Sequence, residues 1–225
     1  MVRNSEFWEE IKENFRIEIL VIITVCYAVG AGLVSYLGKE IQPVVFWLGL
    51  LVSIFFFICS ELINRYFIFS SKLITNKNLE HMRIKNNLFA LFVIFLTALT
   101  IFTFIIYQNV DSKFLFLIFW SAQLVFLFLY AVHPFKMSER GFGDFLIALL
   151  VVAIIPMFSL VLQISEIHTT LFQVTFPSIF LLMSYFLAKN LSGYANDLKI
   201  QKNTIMTTMG WKTGMRLHNL FILFT

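Results

Sequence analysis

Six runs of about twenty apolar residues decide what this chain can fold into. They cover residues 17–37, 44–69, 88–107, 114–132, 145–163 and 171–189. At a rise of about 1.5 Å per residue, a helix of ~20 residues matches the ~30 Å hydrocarbon core of a bilayer. Every backbone N–H and C=O in that core must be satisfied internally, which a helix does by itself. The expected fold is therefore all-α: a polytopic transmembrane helix bundle with six full spans and the start of a seventh at 217–225. Nine residues cannot cross a bilayer as a helix, so the chain is expected to be incomplete at its C-terminus. Pro156 and Pro177 fall inside spans, where neighbouring helices can re-satisfy the carbonyls they free. Gly30 and Gly32 permit close helix packing near the far end of the first span.

Composition points the same way. The 225 residues are 59% hydrophobic and only 13% charged, whereas a soluble domain carries about 25% charge. One globular core cannot bury that excess, so lipid must solvate much of it. Residues 1–16 form a charged, amphipathic segment with Phe7, Trp8, Ile11 and Phe15 at helical spacing. Glu6, Glu9, Glu10 and Glu13 precede the first span and no small-residue cleavage site follows it, which argues against a signal peptide. Cys26 and Cys59 lie within spans without metal-ligand spacing and read as buried thiols.

The loops are asymmetric. Fifteen of the 17 basic residues fall at one edge, with the N-terminal segment and the polar stretches after spans two, four and six; only Lys39 and Lys113 fall at the other. The positive-inside rule places that basic edge, and the N-terminus, in the cytoplasm of an integral, multi-pass cell-membrane protein. The opposite loops are short, so any site is expected at the basic edge.

Three stretches there carry chemistry-bearing side chains. ELINRYFIFSSK, at the end of span two, puts Glu61, Asn64 or Arg65, and Ile68 on one helix face. YAVHPFKMSERGFGD, residues 130–144, reads as a turn into span five with Asp144 as its N-cap. In NLSGYANDLKIQKNTIMTTMGW, residues 190–211, Asn190, Tyr194 and Asp197 share a face if the helix continues. Carboxylates and amides at such an edge could hold Mg²⁺, which favours oxygen ligands and substrate phosphates. Lysines and arginines could take phosphate oxygens directly. Against this, basic residues at span ends commonly snorkel and Asn or Asp at helix ends commonly cap. The four histidines do not pair within a helix, which argues against a membrane cytochrome. Nothing here forms a nucleotide loop or a nucleic-acid footprint.

These motifs resemble, in order and spacing, the UbiA superfamily of membrane prenyltransferases. Tyr194, Asp197, Lys202, Thr204 and Gly210 match the family's second Asp-rich motif, with Gly193 and Ala195 where acids would stand. Tyr130, Pro134, Arg140, Gly141, Gly143 and Asp144 match its middle linker. Asn64, Tyr66 and Phe67 match its first motif, while Arg65 and Ile68 replace the acids. The resemblance covers the chain from the first span to the start of the seventh, so residues 17–225 are expected to form one UbiA-like transmembrane domain, incomplete at its C-terminus.

The resemblance implies an integral membrane prenyltransferase. It would transfer an isoprenoid chain from a polyprenyl diphosphate to a lipophilic acceptor with Mg²⁺, in a lipid bilayer and with no nucleic-acid partner. It implies Asp197 and Asn64 as catalytic residues, and Asp197, Asn190, Asn64 and Glu61 as metal ligands. Lys202, Arg140, Arg65, Lys136 and Tyr194 would bind the diphosphate. Glu61 stands about 10 Å deeper than Ile68 and is either a replacement ligand or a helix–helix hydrogen-bonding group. With the first motif's acid missing, the alternative is a catalytically inactive protein of this fold that binds an isoprenoid lipid or a partner protein.

Overall fold

The computed structural model describes residues 16–75, 79–199 and 203–225. Residues 1–15 of the expected N-terminal helix, and Lys202, lie outside the described residues. Among the described residues, regular structure is helical throughout. The helices are α1 (Ile17–Tyr36), α2 (Pro43–Thr75), α3 (Leu79–Asn109), α4 (Lys113–Ala131), α5 (Gly143–Leu149), α6 (Ile155–Ile164), α7 (Thr169–Lys199), α8 (Ile205–Met209) and α9 (Trp211–Leu223). A π turn, Leu150–Ile154, joins α5 to α6, so the three make one span.

Among the described residues, six helical segments are long and apolar enough to cross a membrane, at the positions the sequence predicts. The chain is an all-α, polytopic bundle of multi-pass type. Its centre is the fifth span, Gly143–Ile164, which is 78% buried over its most apolar residues; its least buried member is the third, Met82–Asn109, at 11%. The first span packs on α6, α2 on α3, α4 and α6, and α7 on the π turn, α5 and α9.

Two local readings change. Helices α2 and α3 run beyond their apolar runs, so most of the polar stretch 70–87 is helical. Straight-chain residues such as Arg83 and Lys85 favour helix as well as most apolar side chains do, so the helix does not stop where hydrophobicity stops. The last helix likewise begins at Trp211, before its apolar run. Of the two span-one glycines, only Gly30 makes a close approach: a Cβ there would collide with the Pro156 carbonyl oxygen, while nothing lies near Gly32. Pro156 is the second residue past the π turn, so the helix accommodates its proline by a local change of hydrogen-bond register.

The spans leave two rims. The Arg16 rim gathers the starts of α1, α3 and α5 and the ends of α2, α4 and α7. The Gln163 rim gathers the other ends.

Candidate functional site

The Arg16 rim is tied together by side chains from helices far apart in sequence. Arg16, one residue before α1, donates from Nη2 to Asp144 Oδ1 at 2.8 Å, and its guanidinium lies over the Phe186 ring, 5.7 Å from the centroid. The other Asp144 oxygen accepts from Asn190 Nδ2 at 2.6 Å. Lys189 and Glu18 form an ion pair alongside. Asp144 therefore joins α1, α5 and α7.

This corrects the reading of Asp144 as an N-cap. Phe142 occupies that position without a side-chain cap bond, and Asp144 lies in the first turn, buried. A carboxylate there benefits from the positive end of the helix dipole, while both its oxygens reach sideways to the neighbouring helices. Burial alone would lower the Arg16 pKa. The Asp144 charge, aided by Glu61, outweighs it and holds the pKa above the ordinary arginine value, so Arg16 stays cationic.

A second group of pairs lies beside the first. Tyr130 donates its hydroxyl hydrogen to Glu61 Oε1 at 2.8 Å, and Arg65 Nε stands 3.9 Å from Glu61 Oε2. Ser138 Oγ donates to Asn64 Oδ1 at 2.8 Å. Tyr130, Glu61 and Asn64 are all buried. The loop from span four to span five is thus pinned to the end of α2. Gly141, with φ +85°, is held where a Cβ would press on the Thr204 backbone, which brings this loop against the segment before α8. Thr204 caps α8 in a reciprocal box with Thr207. Between these parts lies a half-open cavity of about 40 Å³, lined by Arg16, Tyr130, Ser138, Asp144, Asn203 and Thr204, enough for a few water molecules.

The predicted site residues divide. Asn64, Glu61, Asn190 and Arg65 enter the pairs above. Arg140 donates to the Pro134 carbonyl at 2.8 Å; Lys136 pairs with Glu139 at 3.0 Å and lies over the Phe67 ring. Tyr194 packs half-buried against the core. The helix does continue, to Lys199, so Asn190, Tyr194 and Asp197 share one helix as the spacing predicts. Asp197 is buried, 8% exposed, and makes no hydrogen bond or ion pair among the described residues. Seven residues separate it from Asn190, about 10 Å along the helix, so Asp197 lies well outward of the Asp144 pairs.

No group of three or more His, Cys, Asp or Glu side chains is placed to hold a metal ion among the described residues. Of the predicted ligands, Asn64 Oδ1 accepts from Ser138, Glu61 is engaged by Tyr130 and Arg65, and the Asn190 amide turns its nitrogen to Asp144.

Sequence reasoning gave Arg16, Ser138 and Thr204 no role in the site and missed Asp144 as a hub. Arg16 carried one signal, a cation directly before an apolar run. Asp144 resembled a cap because a carboxylate in a first turn and one at a cap position look alike in a string. Comparison with protein-family models, curated proteins and solved structures finds no match for this chain.

Proposed function

We propose that this protein handles a polyprenyl diphosphate at the Arg16 rim, as an integral membrane prenyltransferase-like protein that passes the isoprenoid chain to a lipophilic acceptor. The observation that carries the reading is the convergence of α1, α2, α4, α5 and α7 on one polar cluster at one rim, through Arg16, Asn64, Tyr130, Ser138, Asp144 and Asn190. A diphosphate is an anion with many acceptor oxygens. Arg16, Lys136 and Arg140 are among the cations on the described part of this rim, and Ser138 and Thr204 add hydroxyl donors. The hydrocarbon tail would lie among the apolar spans. In this reading the rim faces the cytoplasm of the cell membrane, in keeping with the 15 basic residues on that edge.

Magnesium in such a reaction offsets diphosphate charge. The described residues fit it poorly, and Asp197 is the rim carboxylate without a partner among them. That observation favours a second reading, in which the fold binds the isoprenoid diphosphate without turnover.

Purified protein in lipid nanodiscs, incubated with geranylgeranyl diphosphate with and without Mg²⁺, separates the two. Transfer predicts Mg²⁺-dependent release of diphosphate that Asp197→Ala abolishes. Binding without turnover predicts retention of the intact lipid, unchanged by EDTA. Neither release nor retention overturns both.

A further inference from the structure

The rim cavity has a hydrogen-bonding polarity of its own. Tyr130 has one hydroxyl hydrogen and gives it to Glu61; Ser138 gives its own to Asn64. Neither Glu61 nor Asn64 lines the cavity. What Tyr130 and Ser138 leave to it is therefore lone pairs, which accept. Other lining groups donate. Arg16 gives one N–H to Asp144 and keeps the rest. Thr204 Oγ1 accepts from the Thr207 N–H at 3.2 Å, which leaves its own hydrogen for the cavity or for the Thr207 hydroxyl.

Charge and size narrow the occupant further. Arg16 and Asp144 are the charged residues of the lining, and they are paired, so the lining carries no net charge. Its walls are set close at two glycines. A Cβ on Gly143 would stand 3.0 Å from Ser138 Cα and 3.3 Å from the Tyr130 ring, and one on Gly141 would stand 3.0 Å from the Thr204 carbonyl. The volume of about 40 Å³ holds roughly three or four oxygen-sized groups. A diphosphate fits this lining poorly, because it is built of acceptors. To meet it, Ser138 must turn from Asn64 and Tyr130 from Glu61, giving up bonds to buried partners. One guanidinium already paired with a carboxylate offsets little of its charge. The anion is better met outside, at Lys136 and Arg140, which do not line the cavity.

We propose that the cavity seats the hydroxyl head of a lipophilic alcohol, whose O–H donates to Tyr130 Oη or Ser138 Oγ and whose oxygen accepts from Arg16 or Thr204. Such a head brings the hydrogen that Tyr130 and Ser138 lack and adds no charge. Only the head enters, and the hydrocarbon chain stays in the bilayer at the rim. The seat stands by itself; the alcohol's further role as the lipophilic acceptor rests on the prenyl-transfer reading above.

The test uses the full chain in lipid nanodiscs and a hexadecanol that carries a photoreactive diazirine near its hydroxyl. Saturable labelling is expected within residues 130–144 and 203–211. Hexadecanol should compete roughly tenfold better than hexadecyl methyl ether, whose oxygen accepts but cannot donate. Geranylgeranyl diphosphate should not displace the label. The double variant Tyr130→Phe, Ser138→Ala strips both acceptors and should label roughly tenfold less. The competition series uses the wild type, so it decides the question even where the double variant does not fold. Equal competition by the ether, displacement by the diphosphate, undiminished labelling of the double variant or no labelling of the wild type overturns the proposal. Retention of the diphosphate is measured on the same nanodiscs. Labelling without retention supports the seat and removes the prenyl-transfer reading; retention without labelling sinks the seat and spares that reading.

Discussion

The two rims of this bundle are closed in different ways. At the Arg16 rim, side chain meets side chain across helices: Arg16 with Asp144, Asn190 with Asp144, Tyr130 with Glu61, Ser138 with Asn64. At the Gln163 rim, side chain meets backbone. Gln163 Oε1 accepts from the Gln42 N–H at 2.8 Å, and Ser165 Oγ accepts from the Ser112 N–H at 3.1 Å. The second pattern ties short turns to helix ends and involves no ionised side chain. The first buries charge, at a cost that packing alone would not require. Among the described residues, buried charge is retained at the Arg16 rim and not at the Gln163 rim.

The largest effect should come from breaking the hub. Asp144→Ala strips Arg16 of its carboxylate and leaves a mostly buried cation. Breaking a fully buried pair costs about 3–5 kcal/mol; with the Arg16 side chain 28% exposed, about 2–3 is expected. Thermal unfolding in detergent would show it. The double variant Arg16→Met, Asp144→Leu should recover most of the loss, because it removes both charges together. If the double variant is as unstable as the single one, the pair is not what holds α1, α5 and α7 together at this rim.

A smaller effect tests the neighbouring pair. Tyr130→Phe removes the hydroxyl that donates to Glu61, a bond to a buried acid worth about 1.5–3 kcal/mol if Glu61 is ionised and about 1 if it is neutral. The size of the measured loss therefore reports the charge of Glu61. The same change should weaken retention of a polyprenyl diphosphate if the rim cavity is its seat, since Tyr130 lines that cavity.

The architecture was legible because apolar run length has one physical meaning in a bilayer, and all six spans fall where the runs fall. The shared helix of Asn190, Tyr194 and Asp197 was legible from spacing alone. The pairing was not. Spacing tells which residues share a face of one helix, but not which face of another helix that face meets. Asp144 shows the limit: its bonds reach Arg16, 128 residues away, and Asn190, 46 away. The same limit hid the conflict over metal, since Glu61, Asn64 and Asn190 look free in sequence and are engaged in the fold. The π turn was invisible for another reason: apolar side chains throughout residues 150–154 are equally compatible with either helix.

The smallest effect belongs to the other rim, and its smallness is what the comparison requires. Gln163→Ala removes the acceptor for the Gln42 N–H, a neutral bond worth about 0.5–1.5 kcal/mol. Two facts reduce that. Gln42 is exposed, so water can replace the lost acceptor. The Gln163 Nε2 atom is buried without a partner, so truncation also removes an unsatisfied group. The expected change in stability is under about 1 kcal/mol, with no effect on retention of a polyprenyl diphosphate. A loss as large as that of Asp144→Ala would mean that the Gln163 rim carries structural or binding weight of its own. The contrast between a rim held by buried charge and a rim held by neutral bonds would then fail.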